Sequence, residues 1–349
     1  MAKLKKTPLY ANVFAGKHAM VHYVDPSMHA YGSLVELPRG TPLNPFPRAA
    51  RVRLFMKVMG AELPGNTFKI VPVFEWYEQQ QRLGKITSRT VVNINSSGGA
   101  GLAAVLVGHA MGVRKIRVFM PEDAPIDKQL LIRRAGGELH LTKDRPGRMT
   151  SVEKVRKMAR LRNHLVFDQY GDDINWKGHV RVTMHQLWEQ MALLGTFPGG
   201  IVAAKGTCGT LIAARESAKL HQQGSRRTLA IGVECEEGEP IPAVRPASRL
   251  GPKQIRFNHK QGTMTVKVER YEAYQMTLDL FSMAALELGL SSGAALCGAH
   301  KALIDILRNP DASRPLRDKD GILNLAVISG DGLGPYLNQL RVILDPKDL

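Results

Sequence analysis

Lys69 is the first residue whose surroundings suggest chemistry. It sits in Pro64-Gly65-Asn66-Thr67-Phe68-Lys69-Ile70, a turn among apolar neighbours ahead of a helix-like run. Partial burial lowers the pKa of a lysine, and an amine so lowered can form a Schiff base with an aldehyde. The stretch Lys205-Gly206-Thr207-Cys208-Gly209-Thr210 lies between an apolar run and a second helix-like run. Its two glycines and two hydroxyls at a helix start make a phosphate cradle, or a tight turn capped by threonine. In Gly289-Leu290-Ser291-Ser292-Gly293-Ala294-Ala295 a serine stands at another helix start. It caps that helix or faces a ring nitrogen.

A fourth stretch is ambiguous. The apolar run Val91–Asn95 ends in Ser96, Ser97 and Gly98-Gly99-Ala100-Gly101, and a small-residue helix follows at once. A strand, a tight turn and a helix N-terminus present backbone N–H groups to an anion. Gly99-Ala100-Gly101-Leu102-Ala103-Ala104 fits G-x-G-x-x-A, and Glu122 follows the next strand, as in a dinucleotide turn. The rival anion is an amino-acid carboxylate.

These groups need a scaffold that ends strands and starts helices side by side. From residue 90 the pattern supplies one. Strands are expected at Val91–Asn95, Lys115–Met120, Glu138–Thr142, His164–Phe167, Ile201–Ala204, Thr228–Val233 and Leu323–Ser329. Helices are expected at Gly101–Met111, Asp127–Ala135, Ser151–Leu161, His179–Leu194, Thr210–Gln222, Met276–Leu288 and Gly293–Leu307. Earlier, Arg53–Met59 reads as a strand and Pro72–Arg82 as a helix closed by Gly84. The alternation predicts an α/β fold, with parallel sheets covered by helices on both faces. Residues 1–52 read as irregular, and 236–275, rich in Pro and basic residues, as a long loop or cap.

Composition narrows the class. The 349 residues allow one large domain or two medium ones, and 44% are hydrophobic, enough for a substantial core. No run approaches a membrane span, and the basic start Met1–Lys6 lacks the apolar segment of a signal peptide, so a cytoplasmic protein is expected. The three cysteines, Cys208, Cys235 and Cys297, are far apart, which argues against disulfides and a zinc site. His109, His140, His179 and His185 have no ligand spacing, so no metal is expected. The net charge of +17 concentrates in Arg145–Arg162 and Arg245–Lys260 without interleaved aromatics, which reads as a solvated basic face and not as a nucleic-acid site.

Taken in order, the motifs resemble a known family. Gly40-Thr41-Pro42-Leu43, Phe68-Lys69, Ser96-Ser97-Gly98, Gly206-Thr207-x-Gly209-Thr210 and Gly289-Leu290-Ser291-Ser292-Gly293 resemble the fold-type II pyridoxal phosphate enzymes. The branch is that of cysteine synthase and cystathionine β-synthase. Phe119-Met120-Pro121-Glu122, Ala135–Leu139, Asp168-Gln169-Tyr170 and Ser329-Gly330-Asp331-Gly332 are similar too. The resemblance covers roughly residues 35–340. It implies a two-domain, tryptophan synthase β-like fold and pyridoxal 5'-phosphate as cofactor. The N-terminal extension 1–52 would pack on the large domain, with a smaller substrate-loop domain at 53–165 and a larger cofactor-phosphate domain at 166–349. A homodimer acting on a small amino acid is implied as well.

The resemblance also implies residue roles. Lys69 would carry the cofactor and shuttle the α-proton. Gly206, Thr207, Cys208, Gly209 and Thr210 would hold its phosphate, and Ser291 its ring nitrogen. Gly99 would lie against the cofactor. Ser96, Ser97, Gly98, Ala100 and Gln169 would bind the substrate carboxylate. The implied reaction is β-replacement on an O-activated L-serine through an aminoacrylate, with β-elimination as the rival and a non-catalytic binding protein as a reading from another class. Two positions depart from the family's Ser-Gly-Asn-Thr-Gly loop, since Gly99 and Ala100 stand where Asn and Thr are usual. Lys69-Ile70-Val71 replaces the usual Lys-Asp-Arg, and Cys208 stands where glycine is common. The basic segment Arg245–Lys260 would line the entrance and favour an anionic substrate such as O-phosphoserine.

Overall fold

The computed structural model describes residues 32–61, 63–96, 98–143, 150–251, 262–336 and 339–340. The first elements in chain order are β1 (Leu34–Glu36), β2 (Val52–Lys57), α1 (Ile70–Arg82), β3 (Val91–Asn95) and α2 (Gly99–Ala110). Next come β4 (Lys115–Pro121), α3 (Ile126–Arg134), β5 (Glu138–Thr142), α4 (Ser151–Met158), β6 (His164–Phe167) and α5 (Ile174–His179). Then follow α6 (His185–Leu193), β7 (Gly200–Ala204), α7 (Gly209–Leu220), β8 (Leu229–Cys235) and β9 (Thr263–Val268). The last are α8 (Arg270–Ala284), α9 (Leu290–Leu307), α10 (Pro310–Ser313) and β10 (Leu323–Ile328).

The chain divides into two compact units. The first includes Leu63–Gly65 and Lys69–Ile174; the second includes Gly32–Glu62, Asn66–Phe68 and Asn175 onward. The first is built on a four-stranded sheet in the order β5-β4-β3-β6, parallel throughout. Val92 and Ile94 are fully buried at its centre, as expected for a parallel strand covered on both faces. The alanines and valines of α2 let it lie close to the sheet, and the Tyr77 hydroxyl of α1 donates to the Ala104 carbonyl at 2.9 Å. Gly84, in the left-handed region at φ 66°, follows the end of α1.

The second unit holds a six-stranded sheet in the order β1-β2-β10-β7-β8-β9. Only β1 is antiparallel to its neighbour. Its core gathers around α9, whose Ala294, Ala295, Leu296, Ala299, Ala302 and Leu303 are all fully buried. Among the described residues, no helix is long and apolar enough to cross a membrane.

Several sequence expectations change, beginning with residues 1–52, read as irregular, which contain β1. Strand β2 pairs in parallel with β10 along its whole length, so residues from 53 to 62 belong to the second unit and not to the substrate-loop domain. Residues 166–174 fall in the first unit, because β6 pairs with β3. Within 236–275, Thr263–Val268 is an edge strand beside β8; its alternating β-branched residues lie next to a basic stretch that obscured them. The run expected as one helix over His179–Leu194 begins at Ile174 and carries a π-helical turn at Val180–Met184.

Candidate active site

In an open parallel sheet, ligands bind beyond the carboxyl ends of the strands, where the strand order reverses. In the four-stranded sheet, β3 leads to β4 and β5 on one side, and β6 returns on the other. The reversal lies between β3 and β6. The loops leaving these strands are Ser96–Gly98 and Asp168–Tyr170, so the fold brings two sequence-predicted groups to one place.

The geometry there is specific. Gln169 is buried, and its side-chain amide donates to the Asn95 carbonyl at 2.9 Å, at the entry to the loop. Asp168 fixes this turn by accepting the N–H groups of Tyr170 and Gly171, each at 3.1 Å, while Arg156 pairs with its other oxygen at 2.8 Å. Ser96 is buried, and its hydroxyl accepts from the N–H groups of Gly98 at 3.1 Å and Gly101 at 2.9 Å. The hydroxyl that looked like a ligand therefore closes the turn. Gly99 and Ala100, in the first turn of α2, lie among the N–H groups that a helix leaves unpaired. Ser97 lies outside the described residues.

The second reversal falls between β10 and β7, since β7 leads to β8 and β9 while β10 lies on its other side. The loops leaving these strands carry Lys205–Cys208 and Ser329–Gly332. Cys208 adopts the left-handed conformation at φ 61° just before α7, and its side chain packs with Ile212 and Leu250. Thr207 accepts from the Asn175 side-chain amide at 3.0 Å. Ser291, at the start of α9, is 5% exposed, and its hydroxyl makes no hydrogen bond to a described residue. A Cβ placed on Gly330 would come within 2.5 Å of the Ser291 Oγ and 3.6 Å of the Phe68 ring. Phe68, Gly330 and Ser291 thus share one corner, and Lys69 is the next residue along the chain.

That approach to Lys69 is tied down by groups to which the sequence reading gave no role. Asp331 is buried and accepts from the Thr67 hydroxyl and the Tyr336 hydroxyl, each at 2.6 Å. The Gly332 N–H donates to the Asn66 carbonyl at 2.9 Å. Burial, reinforced by Asp331, pushes the Tyr336 hydroxyl well above the ordinary tyrosine range, so it stays a donor. Asp331 was visible in Ser329-Gly330-Asp331-Gly332, but its partners Thr67 and Tyr336 carried no local signal. Neither did Asn175. Lys69 itself is half-buried at the N-terminus of α1.

The family model described as "Pyridoxal-phosphate dependent enzyme" matches residues 35–310. The chain belongs to this family. Its cofactor is pyridoxal phosphate, and it is a fold-type II enzyme of the cysteine synthase and cystathionine β-synthase group. It is 28% identical to the cysteine synthase of Aquifex aeolicus over 242 residues, covering 67% of this chain and 70% of that one. It is 24% identical to cysteine synthase B of Escherichia coli over 251 residues, covering 71% and 78%. Among solved structures, O-ureido-L-serine synthase shares the fold with a TM-score of 0.75 at 18% identity, covering 91% of this chain and 94% of that one. The O-acetylserine dependent cystathionine β-synthase of Helicobacter pylori does so with a TM-score of 0.72 at 21% identity, covering 91% and 98%.

The residues of this pyridoxal phosphate enzyme fit the cofactor. A Cβ on Gly209 would meet the Asn175 carboxamide at 2.8 Å, and one on Gly206 the Ala243 carbonyl at 2.7 Å, so glycine at both positions lets Asn175 and the Ala243 carbonyl close on this turn. A twelve-residue helix starts at Gly209, and the Thr210 hydroxyl bonds to no described residue. Such a helix start suits a phosphate dianion. The neutral, unbonded Ser291 hydroxyl suits a pyridine nitrogen. Membership in this family also displaces the dinucleotide reading of the Ser96–Gly101 loop.

Proposed function

We propose that this enzyme catalyses β-replacement on an O-activated L-serine, with a thiol, sulfide or other nucleophile entering. The observation that carries the reading is the corner where the Ser291 hydroxyl, Gly330 and Phe68 meet, one residue before Lys69. The neutral Ser291 hydroxyl would hydrogen-bond the ring nitrogen without giving up its proton, which would suit departure of a β-substituent. Pyridoxal phosphate, when bound, supplies an aldehyde for the amine and a sink for electrons.

The protein's own groups have these roles. Lys69 Nζ holds the cofactor and then takes the substrate α-proton. Gly206 to Thr210 and the α7 N-terminus hold the phosphate. The N–H groups of Gly99 and Ala100 hold the substrate carboxylate, with Gln169 steadying the loop. Ser96 shapes that loop and does not touch substrate. Arg245, whose N–H donates to the Lys205 carbonyl at 2.7 Å, brings the start of the basic segment beside the cradle. This favours an anionic leaving group such as phosphate. The rest of that segment, 252–260, lies outside the described residues.

Relatives named for cysteine and O-ureido-L-serine synthesis support this class of reaction. The test uses purified protein. It should be yellow, borohydride should fix the cofactor to the Lys69 peptide, and Lys69→Ala should abolish both the trapping and turnover. O-phospho-L-serine and O-acetyl-L-serine should each be assayed with and without sulfide. A thiol amino acid formed only with sulfide identifies replacement. Pyruvate and ammonia formed at the same rate with or without sulfide would replace this reading with elimination.

A further inference from the structure

The loop that we read as the carboxylate site lacks polar side chains where they would be most useful. Position 99 is a glycine and position 100 an alanine, and the Ser96 hydroxyl is engaged with the N–H groups of Gly98 and Gly101. Apart from Ser97, which lies outside the described residues, the loop retains backbone N–H groups. These N–H groups carry only partial charges, and an ammonium beside them would add a full positive charge at a half-buried place where water screens it less.

A cation stands over this loop. Lys128, the third residue of α3, is half-buried and lays its side chain across Gly98. A Cβ on Gly98 would lie 3.4 Å from Lys128 Nζ, 3.6 Å from its Cδ and 3.8 Å from its Cε. The ammonium therefore lies within van der Waals distance of the place of a Cβ at position 98, at the cap of α2 where an anion would be received. Lys128 comes from the helix after the next strand, so it belongs to the same sheet's carboxyl edge.

We propose that Lys128 is a specificity-determining residue that pairs its ammonium with the α-carboxylate of the amino-acid substrate. It supplies the charge that the side chains at 99 and 100 do not. The assignment rests on the proposed reading of Ser96–Gly101 as the carboxylate loop. It predicts that selectivity for a free carboxylate over a neutral amide resides largely in one side chain outside the loop.

The experiment compares L-serine with L-serinamide as ligands of the cofactor-loaded protein. Binding is followed by calorimetry and by the visible absorbance of the cofactor. The wild type should bind L-serine more tightly by about tenfold or more, the span of one charge-assisted hydrogen bond. Lys128→Gln should reduce that preference to within about twofold, with the amide affinity and the cofactor spectrum unchanged. Lys128→Arg should retain most of the preference. If Lys128→Gln weakens both ligands equally, or leaves the preference intact, Lys128 only shapes the helix and the assignment is overturned while the carboxylate loop stands. If the wild type itself fails to prefer L-serine, the carboxylate reading of the loop falls, and this assignment with it.

Discussion

Asp331 should be the strongest single determinant of how the approach to Lys69 is held. Its two carboxylate oxygens accept from different hydroxyls, Thr67 and Tyr336, each at 2.6 Å, and the residue is 7% exposed. In Asp331→Asn one oxygen becomes an NH2 group. That group cannot accept, so one buried hydroxyl loses its partner and faces another donor. A hydrogen bond to a charged group contributes about 1.5–3 kcal/mol, and an unmatched buried polar group costs about 1–3 kcal/mol. Overlap between these terms puts the expected loss at about 2–4 kcal/mol. Tyr336→Phe removes one donor and should cost about 1.5–3 kcal/mol. The double variant should cost less than the sum, because the phenylalanine removes the hydroxyl that the amide leaves stranded. Urea unfolding of the four proteins should give a coupling of about 1–2 kcal/mol. Single effects that add to within about 0.5 kcal/mol would refute the shared network.

Two further outcomes follow from buried groups. Burial raises the pKa of Tyr77 and Tyr336 above the ordinary tyrosine value of 10.0. Their contribution to stability is complete below pH 10; above it the unfolded chain releases protons that the folded one keeps, and stability falls by about 1.4 kcal/mol per pH unit for each. Tyr77→Phe should flatten the decline in the unfolding free energy from urea titrations between pH 10 and 11 by about 1 kcal/mol, and an unchanged slope would refute the assignment. Cys208 holds a left-handed φ of 61° with a Cβ. Cys208→Gly should therefore be more stable than Cys208→Ala by about 1 kcal/mol in urea unfolding, since both lose the sulfur packing and only glycine relieves the backbone. The reverse order would show that the turn carries no such strain.

Regular alternation made most of the fold readable. Val91–Asn95, Glu138–Thr142 and His164–Phe167 are strands within the limits that their apolar and β-branched residues set. Reading stopped where a strand's place depends on a distant partner. Val52–Lys57 is plainly a strand, yet only its pairing with Leu323–Ile328 assigns it to the larger sheet. The same limit applied at the site. Gly206–Thr210 and Ser291 stand out as local motifs in the sequence. Thr67, Asn175 and Tyr336 act through side chains that meet residues far along the chain. Ser96 was visible, but its use was not: whether a hydroxyl caps its own turn or faces a ligand depends on a rotamer that spacing does not specify.

The dinucleotide match at Gly99–Ala104 has a physical origin in packing. A Cβ on Gly101 would come within 2.8 Å of Val118, 3.2 Å of the Ser96 Cβ and 3.3 Å of Ile132. Glycine at 101 is therefore required by the close seating of α2 on the sheet and by the Ser96 cap beneath it. Any fold that starts a helix directly off a buried parallel strand faces the same crowding. It answers with small residues at the same spacing, whatever anion waits at the helix end. A glycine pattern alone reports how near the helix lies to the strand. The identity of the anion depends on groups outside the pattern: in the reading proposed above that group is Lys128 over Gly98, while Gln169 on the neighbouring strand's loop holds the Asn95 carbonyl at the loop's entry.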